Sequence, residues 1–125
     1  MNEQMNALLE KLLEQVQKPA QYIGGEMNAV IKDWGAVRSR FAFCFPDTYE
    51  IGMSHLGMKI LYHLINGRED ALCERVFMPA ADMADKMREA GLPLFSWESR
   101  HWLTEFDIIG FTLQYDLCYA NVLTM

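Results

Sequence analysis

What this sequence has little of narrows the reading first. Cysteine occurs three times, at Cys44, Cys73 and Cys118, with no C-x-x-C pair. Neither a structural zinc site nor a dithiol redox motif is therefore written in it. Each cysteine lies in an apolar run and is expected to pack as a small buried hydrophobe. Cations are outnumbered, Lys+Arg 11 against Asp+Glu 17, for a net charge of −6. That works against nucleic acid or an anionic membrane as partner, since both need clustered positive charge. No run approaches the roughly 20 apolar residues of a membrane span. Glu3, Glu10, Lys11 and Glu14 interrupt the N-terminus, which does not read as a signal peptide. A reducing, cytoplasmic setting is the expectation. Repeats and low-complexity segments are also missing.

What is present is ordinary globular material. A chain of 125 residues with 51% hydrophobic and 22% charged side chains suits one domain, or part of one, with a real core. Met5, Leu8, Leu9, Leu12, Leu13 and Val16 form one continuous helical stripe, expected to dock on its own domain and to be closed by Pro19. Lys18–Asn28 reads as a loop broken at Gly24-Gly25, and 29–37 as a helical or irregular piece. Arg40–Phe45 is an unalternating apolar run of the kind that a strand buried on both faces requires.

Leu56, Ile60, Leu61, Leu64 and Ile65 predict the apolar face of a helix stopped at Asn66-Gly67 in the left-handed conformation. Arg75–Met78 predicts a brief strand. Ala80–Ala90 predicts a helix with Met83, Ala84 and Met87 inward and Gly91 at C′. Phe106–Leu113 predicts a second buried strand, and Asp116–Met125 a final helix. Strands alternating with helices imply right-handed crossovers and a Rossmann-like, three-layer open parallel sheet of the cobalamin-binding or flavodoxin type. The reading divides the chain into a 1–37 helix and extension and a 38–125 α/β domain. Open sheets of this type carry five or six strands, so the domain is expected to be cut short of its last ones.

Ligands of open α/β sheets sit at the carboxyl ends of strands. Two loops qualify, 46–57 after the first strand and 112–116 after the last. Between them they combine hydroxyls, an amide and glycines before a helix. Thr48, Tyr49, Gly52, Met53 and Ser54 on the first, and Thr112, Gln114 and Tyr115 on the other, are the candidate cofactor-binding residues. Ordinary turn and cap chemistry, with Ser54 or Asp116 as caps, is the competing reading. A nucleotide P-loop does not fit, because Lys59 falls one residue late after Gly52 and Gly57, and Ile60 stands where a hydroxyl would bind magnesium. No histidine among His55, His63 and His101 has the D-x-H-x-x-G context of a cobalt ligand. Ser96–Arg100 is dense in polar and aromatic groups, and Glu98 and Arg100 are expected to pair at the surface. His101 could cover a ligand or serve structure alone.

The blocks 18–28, Phe-Ala-Phe-Cys-Phe-Pro-Asp-Thr-Tyr-Glu-Ile-Gly-Met-Ser-His-Leu-Gly (41–57), 93–100 and 106–116 together resemble the N-terminal region of a family of large bacterial radical SAM proteins. The block 41–57 is the most specific. The resemblance implies a cobalamin-binding-like domain ahead of a radical SAM barrel, the chain's partner, whose C-x₃-C-x₂-C motif holds a [4Fe-4S] cluster that cleaves S-adenosylmethionine. That motif is not in these residues, so the iron–sulfur chemistry is expected downstream. Any cobalamin would be held without a histidine on cobalt, and relatives that lack the cofactor leave both alternatives open. The expected role is to present a corrinoid or a substrate to the barrel, with no catalytic residue and no metal ligand here. The alternative is a cofactor-free α/β interaction module. An uncovered sheet edge could also pair between chains.

Overall fold

The computed structural model describes residues 3–125, so the first two residues of the expected extension lie outside it. Eight elements follow in order: α1 (Glu3–Leu13), β1 (Ser39–Phe45), α2 (Tyr49–Ser54), α3 (Leu56–Asn66), β2 (Ala71–Phe77), α4 (Ala81–Ala90), β3 (Ile108–Phe111) and α5 (Cys118–Thr124). The strands make a three-stranded parallel sheet in the order β2-β1-β3, flanked by helices. The α/β open-sheet expectation is met.

The apolar run of β1 has its predicted cause: the strand is central. Phe43 and Phe45 face a large cluster with Met58, Tyr62, Phe77, Met83 and Trp97, while Ala42 and Cys44 face a smaller one with Val76 and Phe106. Leu9, Leu12, Leu13 and Val16 join the large cluster, so the N-terminal stripe docks on its own chain. α1 stops at Leu13, before Pro19, through a tight closure of Gln15 N–H onto the Leu12 carbonyl. Gly91 follows α4 at φ 67°, the left-handed stop that its sequence predicts. All three cysteines are buried and free.

Five expectations need correction. The 46–57 loop contains a helix, α2. α3 turns Met58, Tyr62 and Asn66 inward, so Leu56, Ile60, Leu61 and Leu64 stand exposed. Its stop is not left-handed, because Gly67 has φ −67°. The Lys32 ammonium closes this end instead, donating to the carbonyls of Asn66 (2.8 Å), Arg68 (2.6 Å) and Ala71 (2.7 Å). β2 begins at Ala71, well before Arg75, since Glu74 and Arg75 are buried strand residues rather than a break. Finally, β3 is short, and Ile108 and Ile109 are exposed at the sheet's other edge.

The outer edge of β2 is covered by side chains and one loop. The Asn66 amide donates to the Cys73 carbonyl and accepts the Cys73 N–H, both at 2.9 Å. Glu98 accepts the Arg75 N–H at 2.8 Å and the Arg75 Nε–H at 2.7 Å, while the Trp97 N–H donates to the Arg75 carbonyl. The pair is buried, with the Arg75 and Glu98 side chains 5% and 1% exposed. The Glu98 expectation is thereby overturned, whereas Arg100 does pair near the surface, with Glu10. Such a pair is weak evidence of stability, but breaking one side strands a charge, at a cost of about 3–5 kcal/mol. Glu98→Ala is expected to lose about that much in urea melts. Arg75→Met/Glu98→Leu is expected to lose clearly less, and equal losses would show that charge burial is not the cause.

Candidate functional site at the ends of β1 and β3

The order β2-β1-β3 places the topological switch point between β1 and β3, because the chain leaves β1 to one side and returns on the other. The two candidate loops meet there. Pro46 ends β1, and its carbonyl accepts from the Asn121 amide of α5 at 2.9 Å. The Asp47 carboxylate accepts the Thr48 N–H at 2.7 Å through one oxygen and the Tyr115 hydroxyl through the other. That carboxylate, by holding the hydroxyl hydrogen, pushes the Tyr115 phenol well above its ordinary value. Thr112 continues the ladder through its N–H to the Cys44 carbonyl at 3.1 Å. Its Oγ1 is buried with no hydrogen-bond partner among the described residues. Gln114 is exposed on the same loop.

The first-loop candidates do not gather at this switch point. Tyr49 stacks on Trp97 at 5.4 Å and gives its hydroxyl to Glu26. Burial, then the Glu26 carboxylate, pushes this phenol up to about 12. A Cβ on Gly52 would lie 2.3 Å from the Phe77 ring, so this glycine lets α2 press on the core. Met53 Sδ accepts from Arg75 Nη1 at 3.3 Å. Ser54 Oγ donates back to the Glu50 carbonyl at 2.8 Å and caps nothing; the cap of α3 is His55, whose Nδ1 accepts the Met58 N–H at 3.2 Å. Asp116 does not cap α5, which starts after Leu117 without a side-chain cap. Thr48 faces a cleft of about 200 Å³ with Gln17, Lys18, Glu50 and Asp82. A separate apolar cavity of about 410 Å³ lies beyond β2, between Met78, Met87, Leu94 and Met125.

The donor sets decide which groups fit. Burial pushes the Cys44 and Cys73 thiols up to about 12, and the described residues hold no cluster of three His, Cys, Asp or Glu side chains able to bind a metal. These cysteines do not fit an iron–sulfur cluster. For a corrinoid, the place two residues after Asp47 and three before Gly52 belongs to Tyr49, which is turned into the core. No side chain there is offered to cobalt.

Sequence reasoning missed a polar line across the opposite sheet edge. Ser99 Oγ donates to Glu74 Oε2 at 2.7 Å and meets His101 Nδ1 at 2.5 Å, while the His101 ring stacks on Trp34 at 3.6 Å. Arg100, in the turn that brings these together, has φ 57°. A charged pair inside a short strand was the available signal, since Glu74-Arg75 must find partners if buried.

Residues 57–125, more than half of the chain, match the model of a family described as radical SAM proteins, N-terminal. The match starts at the last residue of the 41–57 block. No curated protein and no solved structure matches the chain.

Two outcomes test this geometry. Gly52→Ala overpacks the Phe77 contact and is expected to cost about 1–3 kcal/mol in thermal or urea unfolding. An unchanged midpoint would mean that α2 is not pressed on the core. Burial lowers the His101 pKa below 6.5. The unfolded chain then binds the proton first, so this group's stabilising effect is full above about pH 6.5 and fades as pH falls toward its folded pKa. NMR of the His101 ring should give a midpoint below 6.5, and His101→Phe should flatten that part of the stability profile.

Proposed function

Because the chain belongs to the family of radical SAM protein N-terminal regions, we propose that it docks on the radical SAM domain downstream in the same protein and presents a substrate or cofactor to it. The cluster and the S-adenosylmethionine belong to that domain, and the part played by this chain is binding and orientation. One observation carries the proposal: the apolar face on the β3 side. Ile108, Ile109, Leu113 and Tyr119 are exposed, with Leu117 at 79% and Leu123 at 89%. Apolar side chains left exposed along an edge strand and on the helix beside it suit a protein interface. The switch-point loops lie beside it, so a ligand held by Asp47, Thr112, Gln114 and Tyr115 would lie next to the docked domain.

The strand order favours a second reading of that ligand as a corrinoid, because flavodoxin-like sheets bind cofactors at this switch point. Thr112, Gln114 and Tyr115 would then lie nearest the ligand, whereas Thr48, Tyr49, Gly52, Met53 and Ser54 are engaged elsewhere and would take no direct part.

Hydrogen exchange separates these claims. Amides over 108–123 are expected to exchange at least about tenfold more slowly in the full-length protein than in this chain. Equal rates would defeat the docking face. Hydroxocobalamin added to the full-length protein should shift its visible bands and co-elute in gel filtration under the corrinoid reading. Unchanged bands and no retention would leave the cofactor-free docking role alone.

A further inference from the structure

A cavity of about 330 Å³ lies away from the switch point, lined by Glu26, Met27 and Asn28 of the Gly24-Gly25 loop, by Met53, by Lys59, Tyr62 and His63 of α3, and by Arg75. Its floor is the Arg75 guanidinium, held 4.4 Å above the Tyr62 ring and against Met53. Arg75 clamps Glu98 with Nε alone. Nη1 reaches only a thioether sulfur, a weak acceptor, and Nη2 is buried with no hydrogen-bond partner among the described residues. A guanidinium serving only as counter-ion would spend its fork on the carboxylate. Here the fork end is left over, beside an open cavity.

The walls are consistent with that spare capacity. Lys59 makes no ion pair among the described residues and brings a second positive charge. Glu26, the one acid in the lining, already accepts the Tyr49 hydroxyl. The loop is placed firmly: a Cβ on Gly24, at φ 69°, would meet the Trp97 carbonyl oxygen at 2.6 Å, and the Val30 N–H donates to the Tyr62 hydroxyl at 2.7 Å. Met27 stands 98% exposed at the rim. We propose that this cavity is a binding site for a small organic oxyanion, a carboxylate or phosphate, gripped by Arg75 and Lys59, with its body against Tyr62, Met53 and Val30. Pockets of about 300 Å³ or more with a few convergent polar groups are of the right scale for such ligands.

Two-dimensional NMR of the chain tests this at constant ionic strength, with separate titrations of sodium succinate, inorganic phosphate and a sodium chloride control. Saturable shifts are expected over 26–30, 59–63 and at 75 with succinate or phosphate and not with chloride. The tighter of the two assigns the anion as carboxylate or phosphate. Lys59→Glu, an exposed position that leaves the fold intact, is expected to weaken binding by at least about tenfold. The proposal is overturned if neither anion gives saturable shifts by about 10 mM, a concentration that detects even millimolar affinity. It is equally overturned if Lys59→Glu leaves the affinity unchanged.

Discussion

The constraint on which the rest of this structure depends is the outer edge of β2. A strand buried on both faces and at the margin of a parallel sheet presents unpaired backbone groups, which must be satisfied or covered. This chain meets the demand without another strand. Lys32 takes the Ala71 carbonyl, Asn66 takes both groups of Cys73, and Glu98 with Trp97 takes both groups of Arg75. Odd-numbered positions along β2 point their backbone away from β1, so the three devices follow one another at the spacing of the pleat. Burying Arg75 and Glu98 is the consequence, and it recruits the 95–101 loop, which in turn supplies Trp97 to the core.

That loop also sets the positions of residues on both faces of the sheet. On one face Trp97 stacks with Tyr49 and Phe95, and its carbonyl fixes Gly24. On the other, Ser99 reaches Glu74, and His101 lies flat on Trp34. The cavity beside Arg75 is therefore walled by segments that meet only because the edge is covered. A strand there would have left neither the loop nor the spare guanidinium donors.

Much of the fold was legible from periodicity alone. The central strand, the α1 stripe, α4 with its Gly91 stop and the α/β class all follow from local patterns, because burial on one or both faces writes itself at periods of 3.6 or 2. The failures share a cause of another kind. α3 has more apolar residues than its core contact uses, so a pattern reader chooses Leu56 and Leu64 where the structure chooses Met58 and Tyr62. β2 was shortened because Glu74 and Arg75 look like a break, and their partners Ser99 and Glu98 lie more than twenty residues away. Side-chain partners at that separation leave no periodic trace. The same holds for the candidate site: the two loops were placed by strand order, but Tyr49, Gly52 and Met53 point into the core for reasons set by Phe77, Trp97 and Arg75.

The two edges of the sheet are treated oppositely, and that asymmetry orients the functional reading. Four separate residues are committed to closing β2, whereas β3 keeps Ile108 and Ile109 exposed. Beside it, α5 turns Cys118 inward and leaves Leu123 out. An exposed parallel edge with an apolar flank is an aggregation hazard for a free monomer and an asset for a docked one. The Asp47–Tyr115 bond and the Asn121 contact to Pro46 tie this flank to the end of β1. A surface settling on β3 and α5 would therefore act directly on the switch-point loops. The Arg75 cavity, across the sheet on the side of α3, would be left open to solvent and to its own ligand.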